Sequence, residues 1–145
     1  MPPPHVRPRR ATTLPELLIV LGLLGLGAAF ALRAGVPLLD AARVRTASDE
    51  LRSAYATARE LAMLRSERAA VHVAPTTGVV VVHLRGDTAL RRPLGTLYGV
   101  RLTTTRDSMA YAASGLGWGA ANLRVIVARG AAAETVTVSR LGRVR

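Results

Sequence analysis

The stretch Ala11–Leu32, ATTLPELLIVLGLLGLGAAFAL, decides the fold. One carboxylate, Glu16, stands near its start, and Leu17–Leu32 is then 16 consecutive residues without a charge or a strongly polar group. A helix rises about 1.5 Å per residue, so residues 12–32 span roughly 30 Å, the thickness of a bilayer's hydrocarbon core. An ionisable group inside such a run is costly and is a functional candidate by default. Upstream lies a basic leader, MPPPHVRPRRA, with three arginines and no acid. That charge holds the N-terminus in the cytoplasm while the following chain crosses. An ordinary secretory peptide has a shorter apolar region, no internal carboxylate and an Ala-x-Ala-type exit.

Beyond the run, Arg33 can snorkel to the interface, and Gly35 and Pro37 predict a kink or break where the helix leaves the lipid. The helix then resumes. Val44, Ala47, Leu51, Ala54, Ala58 and Leu61 recur at spacings of 3 and 4, one apolar stripe on an amphipathic helix. Small residues on that stripe let a sheet approach closely. Arg45, Asp49, Arg52, Arg59 and Glu60 fall off it and face water.

From Ala70 the period changes to that of strands. Val71–Ala74 and Val79–Leu84 flank Pro75-Thr76-Thr77-Gly78, a hairpin signal. Gly86-Asp87 reads as a turn, and residues 94–104 as a third strand weakened by Gly95 and Gly99. Residues 114–119 form a glycine-rich loop. Residues 122–128 and 135–139 predict two more strands, separated by 129–134. The order is leader 1–11, membrane helix 12–36, amphipathic helix 37–68 and a β-rich domain 69–145. The predicted class is α+β, a long N-terminal helix packed on a C-terminal antiparallel sheet.

Composition narrows the rest. At 145 residues there is room for one modest domain and an anchor. Cysteine is absent, which excludes disulfides and thiolate metal sites. The net charge is +11, carried by arginine with no lysine. Its distribution is uneven: residues 12–68 hold seven arginines and six acids, residues 69–145 ten arginines and three acids. The excess sits on the leader and on the β-rich part.

Thr13, Leu14, Pro15, Glu16 and Leu17, after a small residue and before an apolar run, resemble the class III signal of type IV pilins and type II secretion pseudopilins. The segments Leu51–Val73, Tyr111–Gly119 and Val136–Arg145 resemble the GspH/FimT family of pseudopilins and minor pilins. This resemblance implies a prepilin peptidase cut between Ala11 and Thr12 with methylation of the new amine, leaving Glu16 fifth in the mature chain. The chain departs from the family at Ala11, usually Gly, and at Thr12, usually Phe. Alanine is small enough for the same pocket. The absence of a disulfide loop leans toward a pseudopilin or minor pilin.

The resemblance further implies a non-enzymatic, single-pass inner-membrane protein whose C-terminal domain is periplasmic and which is then drawn into a periplasmic or surface filament. Its partners would be other pilins or pseudopilins, the peptidase, the inner-membrane assembly platform and the bilayer, with exoprotein cargo or DNA beyond them. Type II secretion is the leading role, and DNA uptake in natural transformation is the alternative.

Three constellations are candidates for chemistry. Glu16, by the resemblance, meets the methylated amine of a neighbouring subunit, because a lone carboxylate in a dry helical core is costly and a paired one tolerable. Its other reading is a cap on the first helical turn, favoured by the helix dipole. Gly142-Arg143-Val144-Arg145 matches the Gly-Arg-x-Arg tail with which FimT-type pilins bind DNA. Arg143 and Arg145 share one side of an extended segment, and Arg124, Arg129 and Arg140 add to the field. Its other reading is solvated edge protection, and with Tyr98, Tyr111 and Trp118 the domain's few aromatics, the sequence offers little platform for base stacking. His72 and His83 face each other if Thr77-Gly78 is the hairpin turn, but no further ligand is at hand for a metal. Ser108 and Ser114 sit in no nucleophile motif, and residues 115–119 lack the Lys-Ser or Lys-Thr of a phosphate loop. The sequence calls for neither a cofactor nor catalysis.

Overall fold

The computed structural model describes residues 13–119 and 122–145. Helix α1 runs over Leu14–Leu64, 51 residues, and passes through Gly35 and Pro37 where the sequence predicts a break. Pro37 removes one backbone donor, so a single carbonyl four residues back loses its partner. Strong helix formers on its C-terminal side, among them Leu38, Leu39, Ala41 and Ala42, keep the remaining bonds in place. The large apolar side chains from Leu14 to Leu32 are exposed, and this part of α1 is long and apolar enough to cross a membrane. The chain divides into two compact units between Val36 and Pro37.

In the second unit, Val44, Ala47, Leu51, Ala54 and Ala58 are buried, as the stripe requires. Leu61 is only half-buried, and Ala62 takes its place at the end of the stripe. Ser48 and Tyr55 are also fully buried, which widens the stripe by one neighbour at two turns.

Among the described residues eight strands follow: β1 Ala69–Ala74, β2 Val79–Leu84, β3 Asp87–Pro93, β4 Arg101–Thr104, β5 Ser108–Tyr111, β6 Gly117–Trp118, β7 Leu123–Arg129 and β8 Ala132–Val138. A one-turn helix α2, Leu94–Tyr98, lies between β3 and β4. They build two antiparallel sheets, one ordered β3-β2-β1-β5-β6 and the other β4-β7-β8. Alternate valines of β1, β2, β7 and β8 turn inward onto the α1 stripe and form one core with it. Ion pairs fix α1 to both sheets, Glu50 to Arg92 of β3 at 3.1 Å and Arg52 to Glu134 of β8 at 2.6 Å.

Four local expectations are corrected. Residues 94–104 are not one strand: Leu94–Tyr98 coils into α2, and only Arg101–Thr104 pairs, with β7. Asp87–Pro93 is a strand rather than the end of a turn, and it lies at an edge, with only Leu90 and Pro93 half-buried, so it shows no alternation to read. The gap between the last two strands closes to Gly130-Ala131, because Arg129 pairs directly with Ala132. The hairpin loop is residues 75–78, as the flanking strands predict, but its centre lies between Thr76 and Thr77 rather than at Thr77-Gly78, since Ala74 pairs with Val79. That register sets His72 opposite Val81 and His83 opposite Ala70, so the imidazoles are diagonal neighbours on one face and not a facing pair.

Candidate functional site

The first turn of α1 carries one half of a capping box. Thr13 precedes the helix, Glu16 stands three residues on, and the Thr13 backbone N–H points to Glu16 Oε2 at 3.5 Å. The Leu17 N–H donates to the Thr13 carbonyl at 3.2 Å and closes the turn. The Glu16 carboxylate is exposed and lies where the positive end of the helix dipole favours an anion. Ala11 and Thr12 lie outside the described residues.

The C-terminal residues form a short fourth strand on β8. Arg145 and Thr137 exchange backbone hydrogen bonds at 2.9 and 2.8 Å, and the Ser139 N–H donates to the Arg143 carbonyl at 2.8 Å. Val144 bridges to Val138 and packs on the core. Gly142 makes the turn at φ +76°, and a Cβ there would stand 2.8 Å from the Gly115 carbonyl oxygen and 3.0 Å from the Tyr111 ring. Only glycine fits that place without strain.

Because Val144 faces inward, Arg143 and Arg145 face outward and are exposed. Register then brings a third arginine to the same face. Arg124 on β7 pairs with Thr137, and Thr137 pairs with Arg145, so the three form a row across adjacent strands. Strand spacing puts the Arg124 and Arg145 backbones about 10 Å apart, and Arg143 and Arg145 about 7 Å apart along their strand. Arg101 faces the same way, since it pairs with outward-facing Ala128. Between the arginines lie Thr135, Thr137, Ser139 and Asn122. No acid occupies an outward strand position on this face.

Arg140 is exposed in the turn before Gly142, its backbone N–H donating to Asn122 Oδ1 at 3.3 Å. Arg129 does not join the face. Its Nε donates to Asp40 Oδ1 at 2.6 Å and its Nη1 to the Tyr98 carbonyl at 2.6 Å, so it is a structural clamp between α1 and α2.

On the helix side of the tail lies an open groove of about 730 Å³, lined by Arg52, Arg59, Glu60 and Met63 of α1 among others and by Arg143 and Arg145 of the tail. Hydrogen bonding to Glu134 holds the Arg52 guanidinium charged more firmly than usual. Arg59 Nε donates to the Gly115 carbonyl at 3.0 Å. In the sequence Arg52 and Arg59 read only as solvated charges, because nothing local announces that β8 and the loop after β5 return to the helix. Beneath the turn, burial pushes the Tyr111 phenol up to about 12 and raises that of Tyr55 further. Among the described residues no three His, Asp or Glu side chains converge on a metal position.

No family model matches the sequence, and no curated protein matches it. Solved structures do. The type IV minor pilin FimU of Pseudomonas aeruginosa aligns at a TM-score of 0.60 over 70% of this chain and 86% of its own, at 10% identity. A second crystal form of FimU gives 0.58 over 70% and 90%, at 11% identity. The minor pseudopilin EpsH from the type 2 secretion system of Vibrio cholerae gives 0.56 over 71% and 94%, at 12% identity. A long N-terminal helix packed along its second half on antiparallel sheets, aligned over nearly the full length of these chains, makes this a pilin-like α+β fold of the kind found in minor pilins and minor pseudopilins.

Proposed function

We infer that the chain is a non-enzymatic subunit of a pilin-like filament assembled from the inner membrane. The observation that carries this is the division of α1: its first half exposes a continuous apolar surface with one carboxylate at the start, while its second half is the spine of a folded domain. In this reading the precursor is cut between Ala11 and Thr12, the domain is periplasmic, and the apolar half leaves the bilayer for the filament core. There the Glu16 carboxylate exchanges its local cap for a neighbour's methylated amine. The leading role is support of protein secretion, with other pseudopilins, the peptidase and the assembly platform as partners.

The test has two readouts. Mass spectrometry of the membrane form shows an N-methylated Thr12 terminus, whereas a mature chain starting near Gly35 overturns the reading. Glu16→Ala keeps membrane insertion and loses crosslinking into the filament. Crosslinking at wild-type levels removes the amine pairing.

A second reading, binding of DNA during uptake, is favoured by the cofacial Arg124, Arg143 and Arg145 on a face without acids. Phosphate contacts of this kind are sequence-independent and weaken steeply with salt. Replacing both Arg143 and Arg145 by Ala lowers the salt slope of duplex binding by about two contacts, with the thermal midpoint unchanged. Binding that is absent at low salt, or unchanged in the double variant, leaves the secretion role alone.

A further inference from the structure

Trp118, the chain's sole tryptophan, is 60% exposed at the end of the two-residue strand β6. An indole left so open on an edge strand contributes little to the core, and single exposed apolar residues are ordinary, so its meaning depends on what lies beside it. It stands opposite Ala110 on β5, whose neighbour on β1 is Ala70. These two small side chains floor a pocket of about 170 Å³ beside the indole, completed by Arg106, Ser108, Met109 and Leu123. Leu123 opens β7, so the pocket lies at the seam of the two sheets, and the next residue along is Arg124 of the arginine face. No Asp or Glu lines it, and Arg106 has no carboxylate partner among the described residues.

We propose that Trp118 is a stacking platform for an unpaired base of a single-stranded nucleic acid, with Arg106 on the adjoining phosphate and the strand continuing over Arg124 toward Arg143 and Arg145. The proposal rests on the polyanion reading of the arginine face and narrows it to single strands. The pocket is too small for a ligand of the usual bound size and suits one ring system. Stacking on an indole needs a free base face, which a duplex does not offer, and cationic side chains beside aromatic ones are how single strands are held without sequence preference. Sugars also stack on tryptophan. A lining with a guanidinium and no carboxylate favours an anion over a neutral sugar.

The sole tryptophan makes the test direct. The full chain in a non-ionic detergent is titrated with a thymidine oligonucleotide of about 12 nucleotides, with a duplex of equal length and with a neutral maltooligosaccharide. Tryptophan emission reports on the site, and anisotropy of labelled nucleic acid gives affinities for the variants. The single strand quenches Trp118 and binds more tightly than the duplex. Trp118→Ala weakens single-strand binding about ten-fold and leaves duplex binding unchanged, while Trp118→Phe retains most of the preference. Arg106→Ala lowers the salt slope by about one. Equal binding of both nucleic acids without quenching, or a preference that survives Trp118→Ala, overturns the platform and leaves the polyanion face standing. Quenching by the sugar alone assigns the indole to glycans and overturns the proposal. No binding of either nucleic acid overturns the platform and the polyanion reading together.

Discussion

Among the described residues Tyr55 and Tyr111 are the largest fully buried side chains, and neither hydroxyl has a hydrogen-bond partner there. An unpaired buried hydroxyl costs more than its removal would. Tyr55→Phe is therefore expected to raise stability by about 1 kcal/mol, read as a higher thermal midpoint. Arg129 is the opposite case. Its guanidinium serves both the Asp40 carboxylate and the Tyr98 carbonyl, and Asp40 is only 17% exposed. Arg129→Ala strands that carboxylate and should cost about 2 kcal/mol in chemical denaturation, with no change in the salt slope of nucleic-acid binding. A changed slope would return Arg129 to the arginine face. The sequence counts it there because a single arginine near a strand end says nothing about a partner many residues upstream.

At the level of elements, the tail is a strand with an address. Gly142 sets its turn, Val144 its inward anchor and Thr137 and Ser139 its backbone partners. Gly142→Ala places a methyl against a carbonyl oxygen and the Tyr111 ring, a strain of about 1–3 kcal/mol. Hydrogen exchange at Thr137, Ser139 and Arg145 should then accelerate while β7 stays protected. Equal acceleration throughout the sheet would mean that the turn serves the whole domain. The alternation of Val144 between two arginines makes this much readable in the sequence, as does the stripe from Val44 to Ala58. The elements that escape reading carry no periodic signal: β3 is mostly exposed, β5 is four residues long, and α2 is one turn held by its contacts. Arg124 is legible as a charge, but its place in the row depends on a register that only pairing with β8 fixes.

For the whole molecule, pH acts through the buried phenols. Both are held neutral by burial, so their folded pKa values lie above the ordinary value of about 10. Below pH 10 neither state ionises, and this contribution is fully present. Above it the unfolded chain releases protons that the folded domain keeps, and stability falls as pH rises through about 12, the folded value of Tyr111. Denaturation midpoints should drop on the alkaline side, less so in Tyr55→Phe, and an identical slope in that variant would exclude Tyr55 as a cause. The buried stripe of α1 has a further, kinetic meaning. It is made early; the valines of β1 and β2 follow it directly, but those of β7 and β8 arrive last, so part of the stripe waits uncovered through most of synthesis. Ala47, Ala54, Ala58 and Ala62 offer little apolar area to a stray neighbour in that interval. The same small side chains that admit the sheets closely in the finished domain also keep the unfinished chain from sticking.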